Sequence, residues 1–174
     1  MLVNPIRRLL ENPLAILGPF VREGMTVLEI GPGMGYYSLP LARMVGKSGR
    51  VVCVDIQEKM LRGLRRRAIK ADLIDRITPV LASQDSLGLA AHQSTIDFAF
   101  LFAVVHEVPD KGKFFEAVYR TMKPDGTLLF SEPNGHVKEG DFQKSVELAS
   151  SKGFAVVKSV DIWRYTSVLM KIRA

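Results

Sequence analysis

Cysteine is nearly missing from this 174-residue chain, Cys53 being the single one. No internal disulfide can form, and the apolar run VVCVD around Cys53 reads as a buried strand carrying an inert thiol. No apolar stretch approaches the roughly 20 residues of a membrane span, so no membrane partner is expected. The opening MLVNPIRRLLENP lacks the long apolar core of a signal peptide, which predicts a cytoplasmic protein. Histidine is scarce, with only His92, His106 and His136, and neither His-x-x-x-His nor Cys-x-x-Cys occurs, so no metal site is expected. No repeat, low-complexity tract or linker-like stretch breaks the sequence. At about 100 to 200 residues per domain, the length predicts one domain over residues 1–174.

Positive charge is what the chain has in excess: 24 Lys and Arg against 18 Asp and Glu, a net charge of +6. Its densest source is residues 58–75, where Leu61, Leu64, Ala68 and Ala71 recur at helical spacing while Arg62, Arg65, Arg66, Arg67 and Lys70 fill the other faces. That pattern is an amphipathic helix with a solvated basic side. No aromatic residues are interleaved for base stacking, which ranks RNA behind a small molecule as a partner.

Apolar, β-branched runs at residues 26–30, 50–55, 77–81, 96–102 and 126–131 read as buried strands. Helical patterns fill residues 36–45, 58–73 and 111–122, while 85–93 has room for only a short helix. Such alternation predicts right-handed crossovers and a doubly wound α/β fold with a parallel sheet. Ahead of the first strand, residues 4–11 and 13–21 read as short helices, each entered through an Asn-Pro pair that supplies a cap and a first helical residue. Residues 139–152 look helical and stop at Gly153. The remainder, FAVVKSVDIWRYTSVLMKIR, holds two strand-like stretches with no room for a helix between them, which predicts a closing antiparallel hairpin.

The stretch VLEIGPGMGYY, residues 27–37, places Gly31, Gly33 and Gly35 where a first strand feeds a first helix, the position at which open α/β sheets bind ligands. A phosphate-cradling loop needs a following Gly-Lys-Ser/Thr, and Tyr36, Tyr37 and Ser38 do not supply it. A dinucleotide turn, G-x-G-x-x-G, needs glycine where Tyr36 stands. Glu29, two residues before the first glycine and near the mouth of the turn, repels a pyrophosphate and suits a cation. Asp55 ends the second strand, 20 residues after Gly35, where an acid can accept both ribose hydroxyls of an adenosine. Adenosine, an amino-acid cation and no phosphates together describe S-adenosylmethionine.

Along nearly its whole length the chain resembles class I S-adenosylmethionine-dependent methyltransferases. VLEIGPGMGY is similar to the family's first motif and VVCVDIQEKML to its second, while MKPDGTLLFSEP, residues 122–133, is similar to the motif leading into the fifth strand. The resemblance implies a Rossmann-like, mostly parallel seven-stranded sheet of order 3-2-1-4-5-7-6, with strand seven antiparallel and helices on both faces. It puts Glu29, Gly31, Pro32, Gly33 and Gly35 at the cofactor, Asp55 on the ribose, and Ile56 and Met60 against the adenosine. The adenine contact is expected after the third strand, in PVLASQDSL, from Ser83, Gln84 or Asp85. Phe102 and Ala103 are expected at the methionine end, and the helices of residues 1–22 over the site, with a homodimer partner as a second source of cover.

Methyl transfer is an in-line displacement, and a general base is needed only when the acceptor carries a proton. Two histidines are candidates for the acceptor side. His106, in FAVVHEVPD after the fourth strand, has Glu107 beside it to orient or charge it; the alternative is a packing role under the next helix. His136, in SEPNGHVKEGDF after the fifth strand, lies on the same sheet edge, the alternative being a turn before a helix. His92, in AAHQST, reads as a surface connection. No Asn-Pro-Pro-Tyr-like motif follows the fourth strand, which weighs against an amino-methylating nucleic-acid enzyme. Tyr36 and Tyr37 read as packing residues. The expected function is methyl transfer from S-adenosylmethionine to a small-molecule acceptor. Its competitors are a noncatalytic S-adenosylmethionine- or RNA-binding subunit and an NAD(P)-dependent oxidoreductase, which has Glu29 and Tyr36 against it.

Overall fold

Val51, Val52, Cys53 and Val54 are fully buried in succession, which a strand achieves only when both faces of its sheet are covered. They belong to β2 (Arg50–Asp55) of a computed structural model that describes residues 11–162 and 165–172. The other strands are β1 (Thr26–Ile30), β3 (Ile77–Leu81), β4 (Ile96–Phe102), β5 (Met122–Pro133), β6 (Phe154–Ser159) and β7 (Tyr165–Ile172), in the order β3-β2-β1-β4-β5-β7-β6. Around the sheet lie α1 (Pro13–Leu17), α2 (Ser38–Met44), α3 (Glu58–Lys70), α4 (Lys111–Thr121) and α5 (Glu139–Ser151). The doubly wound α/β fold is as the sequence pattern predicts, and the strand order with an antiparallel β7 is as the family resemblance implies. Backbone contacts divide the chain into two compact units, one ending at Gly88 and one beginning at Leu89.

In the first unit β1 and β3 both run parallel to β2, with Glu29 opposite Cys53 and Asp55 opposite Leu81. α3 buries Leu61, Leu64 and Ala68 and leaves Arg62, Arg65 and Arg66 exposed, as its pattern requires. α1 starts as expected: the Asn12 side chain accepts the Leu14 N–H at 3.0 Å, and Pro13 is the first helical residue. It stops at Leu17, short of residue 21, because Pro19 has no N–H with which to continue the ladder. The helix expected at residues 4–11, and most of the cover expected from residues 1–22, fall on residues 1–10, outside the described residues.

In the second unit β4 and β5 are parallel, and β7 pairs antiparallel with both β5 and β6. Phe98, Phe100, Phe115, Phe130 and Phe154 are fully buried and form its core. Each contributes roughly 1.5–3 kcal/mol of transfer free energy relative to exposure. β5 begins at Met122, earlier than residue 126, since Met122 already pairs with Ile96 before the turn-like Lys123-Pro124-Asp125 stretch bulges from the ladder. α5 ends as expected before Gly153, whose φ of +107° and missing Cβ let the Tyr119 ring lie directly against it. Residues 85–93 hold only the three-residue turn Ala90–His92. Among the described residues, no helix is long and apolar enough to cross a membrane.

Candidate active site

The three glycines of the turn after β1 have positive φ, +74° at Gly31, +54° at Gly33 and +86° at Gly35, a conformation that costs any other residue about 1–2 kcal/mol. They use it differently. A Cβ at Gly35 would meet Leu64 Cδ1 at 2.6 Å, so this glycine lets the turn close on α3. A Cβ at Gly33 would meet nothing within 4 Å, which leaves that part of the main chain open to a ligand. α3 grips the turn between them. Arg67 Nη1 donates to the Met34 carbonyl at 2.6 Å, and the Met34 side chain lies over Gly63. Arg67 is therefore not part of the solvated basic face to which its helical position assigns it. On the other side Tyr36 Oη donates to the Glu11 carbonyl at 2.7 Å and Tyr37 Oη to Glu11 Oε2 at 3.0 Å, so the tyrosines tie the turn to the preceding segment.

Glu29 is buried rather than set at an open mouth, because the residues of β1 from Val27 onward lie inside the sheet. Its Oε2 is 3.7 Å from Cys53 Sγ, and among the described residues no Lys or Arg pairs with it. Burial pushes its pKa up to about 7; the Ser38 and Cys53 side chains hold it back, and the Asp55 charge adds to the rise. The same burial drives the Cys53 thiol well above its usual range, so it is inert, as expected. Asp55 is half-buried at the end of β2, and its Oδ1 accepts the Gln57 N–H at 2.8 Å. An open stretch of main chain at Gly33, with the buried Glu29 carboxylate unpaired by Lys or Arg among the described residues, fits a ligand that brings a cation.

The remaining expected cofactor residues of this unit lie after β2, in the loop after β3 and in the glycine turn. Ile56 is 56% exposed, an unusual state for a large aliphatic side chain, and Met60 is half-buried one turn later. The Ala82 N–H donates to the Asp55 carbonyl at 3.0 Å, which starts the loop after β3 beside Asp55; Ser83, Gln84 and Asp85 are all exposed side chains of that loop. Pro32 is buried within the glycine turn.

In the second unit Phe102 ends β4 in the core, its ring 5.2 Å from that of Phe100 and 4.3 Å from that of Tyr165. Ala103 follows at φ +56°, held by its N–H bond to the Ser131 carbonyl at 2.9 Å. A non-glycine residue so placed is strained by about 1–2 kcal/mol, a cost that tends to collect at functional sites.

Three residues on stands His106, in the turn Val105–Glu107. Its backbone N–H donates to Glu132 Oε1 at 3.0 Å, and its ring Nδ1 lies 2.6 Å from Glu132 Oε2. Glu132 sits near the end of β5 with its side chain only 3% exposed, whereas that of His106 is 20% exposed. Glu107, the neighbour expected to orient the ring, is 73% exposed and its carboxylate is 3.9 Å from Nε2. The orienting acid is Glu132, to which the sequence pattern assigned no role. A carboxylate at the end of a buried strand was the available signal.

The His136 ring meets that of His106 edge-on at 4.9 Å, so the two expected acceptor-side histidines do come together. They line one groove of about 390 Å³ with Lys111, Lys138, Asp141 and Lys144. His92 lies apart, at the end of its own short turn. Among the described residues, no group of three or more His, Cys, Asp or Glu side chains could hold a metal ion.

A family model described as a methyltransferase domain matches residues 21–168. The ubiquinone/menaquinone biosynthesis C-methyltransferase of Klebsiella pneumoniae subsp. pneumoniae is 31% identical over 149 residues, which is 83% of this chain; the chain spans 59% of that relative's length. Among solved structures, an S-adenosylmethionine-dependent methyltransferase from Aquifex aeolicus superposes with a TM-score of 0.85 at 26% identity, covering 98% of this chain and 94% of its own. A putative rRNA methylase from Clostridium thermocellum shares the fold, with a TM-score of 0.72 at 19% identity over 100% of this chain and 98% of its own.

Proposed function

Because the chain belongs to the class I S-adenosylmethionine-dependent methyltransferase family, we propose that it methylates a small-molecule acceptor from which His106 removes a proton. The observation that carries this reading is the buried Glu132 carboxylate 2.6 Å from His106 Nδ1. With that carboxylate as acceptor, the ring proton sits on Nδ1 and the lone pair on Nε2. Glu132 would then hold the ring in one tautomer and stabilise the imidazolium formed when Nε2 takes the acceptor's proton, a service that orienting acids give to catalytic histidines elsewhere. General-base assistance of this kind is worth about 10²–10⁴ in rate.

S-Adenosylmethionine, when bound, supplies an electrophilic methyl group on a sulfonium. For holding it the first unit offers the open main chain at Gly33, the Asp55 carboxylate for the ribose hydroxyls, the exposed Ile56 with Met60 for the adenosine, and the loop of Ser83, Gln84 and Asp85 for the adenine. Glu29 would offset the donor's positive charge. A groove of about 390 Å³ suits a small molecule. The curated relative is named a C-methyltransferase of quinone biosynthesis, and an acceptor carbon, like a hydroxyl, has a proton to lose.

Calorimetric binding of S-adenosylmethionine and NAD side by side, followed by a screen of phenols, quinols and hydroxy acids for release of S-adenosylhomocysteine, tests the proposal. Binding of S-adenosylmethionine and turnover with a proton-bearing small molecule are expected. Binding of NAD alone would overturn it.

A further inference from the structure

The groove beside His106 carries more positive charge than proton transfer requires. Lys111 enters it from the first residue of α4, Lys138 from the N-cap of α5 and Lys144 from the second turn of α5; among the described residues that line it, Asp141 alone is a carboxylate. That carboxylate is already engaged, 3.3 Å from Lys144 Nζ. Among the described residues, Lys111 Nζ reaches only the Ser145 hydroxyl, at 3.4 Å, and Lys138 has no side-chain hydrogen bond or ion pair. Glu107 stands at the His106 side of the groove but is 73% exposed, and Glu132 is committed to His106.

From this lining we infer that the acceptor carries an anionic group, a carboxylate or a phosphate, which Lys111, Lys138 and Lys144 hold while its proton-bearing atom faces His106. The inference rests on the acceptor-site reading above and narrows it to an anionic class. Lysines at a groove open to solvent give modest, salt-screened contributions, roughly two- to fivefold in affinity each.

The test is a titration of the full-length protein, without methyl donor, with 4-hydroxybenzoate, phenyl phosphate and the neutral 4-hydroxybenzyl alcohol. Affinity is read by calorimetry at low and high salt, and the site by the ring NMR signals of His106 and His136. At least one anion is expected to bind and to shift both ring signals; the neutral probe should bind about tenfold more weakly or worse. Replacing Lys111→Gln, Lys138→Gln and Lys144→Gln together should cost about tenfold or more for the anion, with the circular dichroism spectrum unchanged. Comparing the two anions tells a carboxylate from a phosphate ligand. Equal binding of the neutral probe, undiminished binding by the triple variant, binding that moves neither ring signal, or no binding except of an RNA oligonucleotide would each overturn the inference. Turnover is not needed for this readout, so failure of anion binding and failure of the His106 reading are distinguishable.

Discussion

Glu132 holds His106 at two points, accepting the backbone N–H at 3.0 Å with one oxygen and facing ring Nδ1 at 2.6 Å with the other. The first contact fixes where the residue sits, and the second fixes which nitrogen carries the proton. Glu132→Gln keeps the size but can present an N–H to Nδ1 and so favour the wrong tautomer. Its kcat should fall by on the order of 100-fold. Glu107→Gln, at an exposed carboxylate, should leave kcat within about twofold of wild type. Initial rates of S-adenosylhomocysteine release for the two variants check this, and equal losses would reject Glu132 as the orienting acid.

Glu29 sets a pH dependence. Its pKa is about 7 in the folded protein against 4.5 ordinarily, so between those values the folded state binds more protons than the unfolded one. Folding stability should therefore fall as pH rises from 4.5 to 7 and level off above, by up to on the order of 3 kcal/mol. Denaturant melts across that range should show the slope in wild type and lose it in Glu29→Gln. A ligand bringing a cation favours ionised Glu29, so S-adenosylmethionine binding at pH 6 should release a proton, detectable by calorimetry in buffers of different ionisation enthalpy. A pH-independent wild type would contradict this account.

The glycines of the turn should separate folding from binding. Gly33→Ala places its methyl group in open space at φ +54°, so it should fold with a loss of about 1–2 kcal/mol but bind S-adenosylmethionine at least about tenfold more weakly. Gly35→Ala drives a methyl into Leu64 and should cost roughly 1–3 kcal/mol of stability beyond the same strain. Melting and donor titration of both variants distinguish the two roles.

Arg67→Ala should raise KM for S-adenosylmethionine several-fold and leave kcat nearly unchanged, because Arg67 braces the Met34 carbonyl of the glycine turn. A fall in kcat at unchanged KM would remove Arg67 from the turn's support.

Features that depend on one stretch of chain were legible. The glycine turn declares itself because positive φ at three alternating positions favours glycine, and the β2 strand does so because four consecutive buried residues are apolar. What escaped depends on partners distant in sequence. Glu132 lies 26 residues from His106, and only the parallel pairing of β4 with β5 brings their ends together, while Glu107, adjacent in sequence, turns to solvent. Arg67 read as one more cation on a basic helix because its partner, Met34, is 33 residues away. Glu29 was expected in the right strand, but its burial follows from how the sheet is covered, which spacing does not reveal.

The most direct test of the central claim is the kcat of His106→Gln against wild type, measured as S-adenosylhomocysteine release at saturating donor and acceptor, with donor affinity checked by calorimetry. A loss of about 10²–10⁴ in kcat at unchanged donor affinity is expected. A variant that turns over within about threefold of wild type would contradict the assignment of His106 as the base.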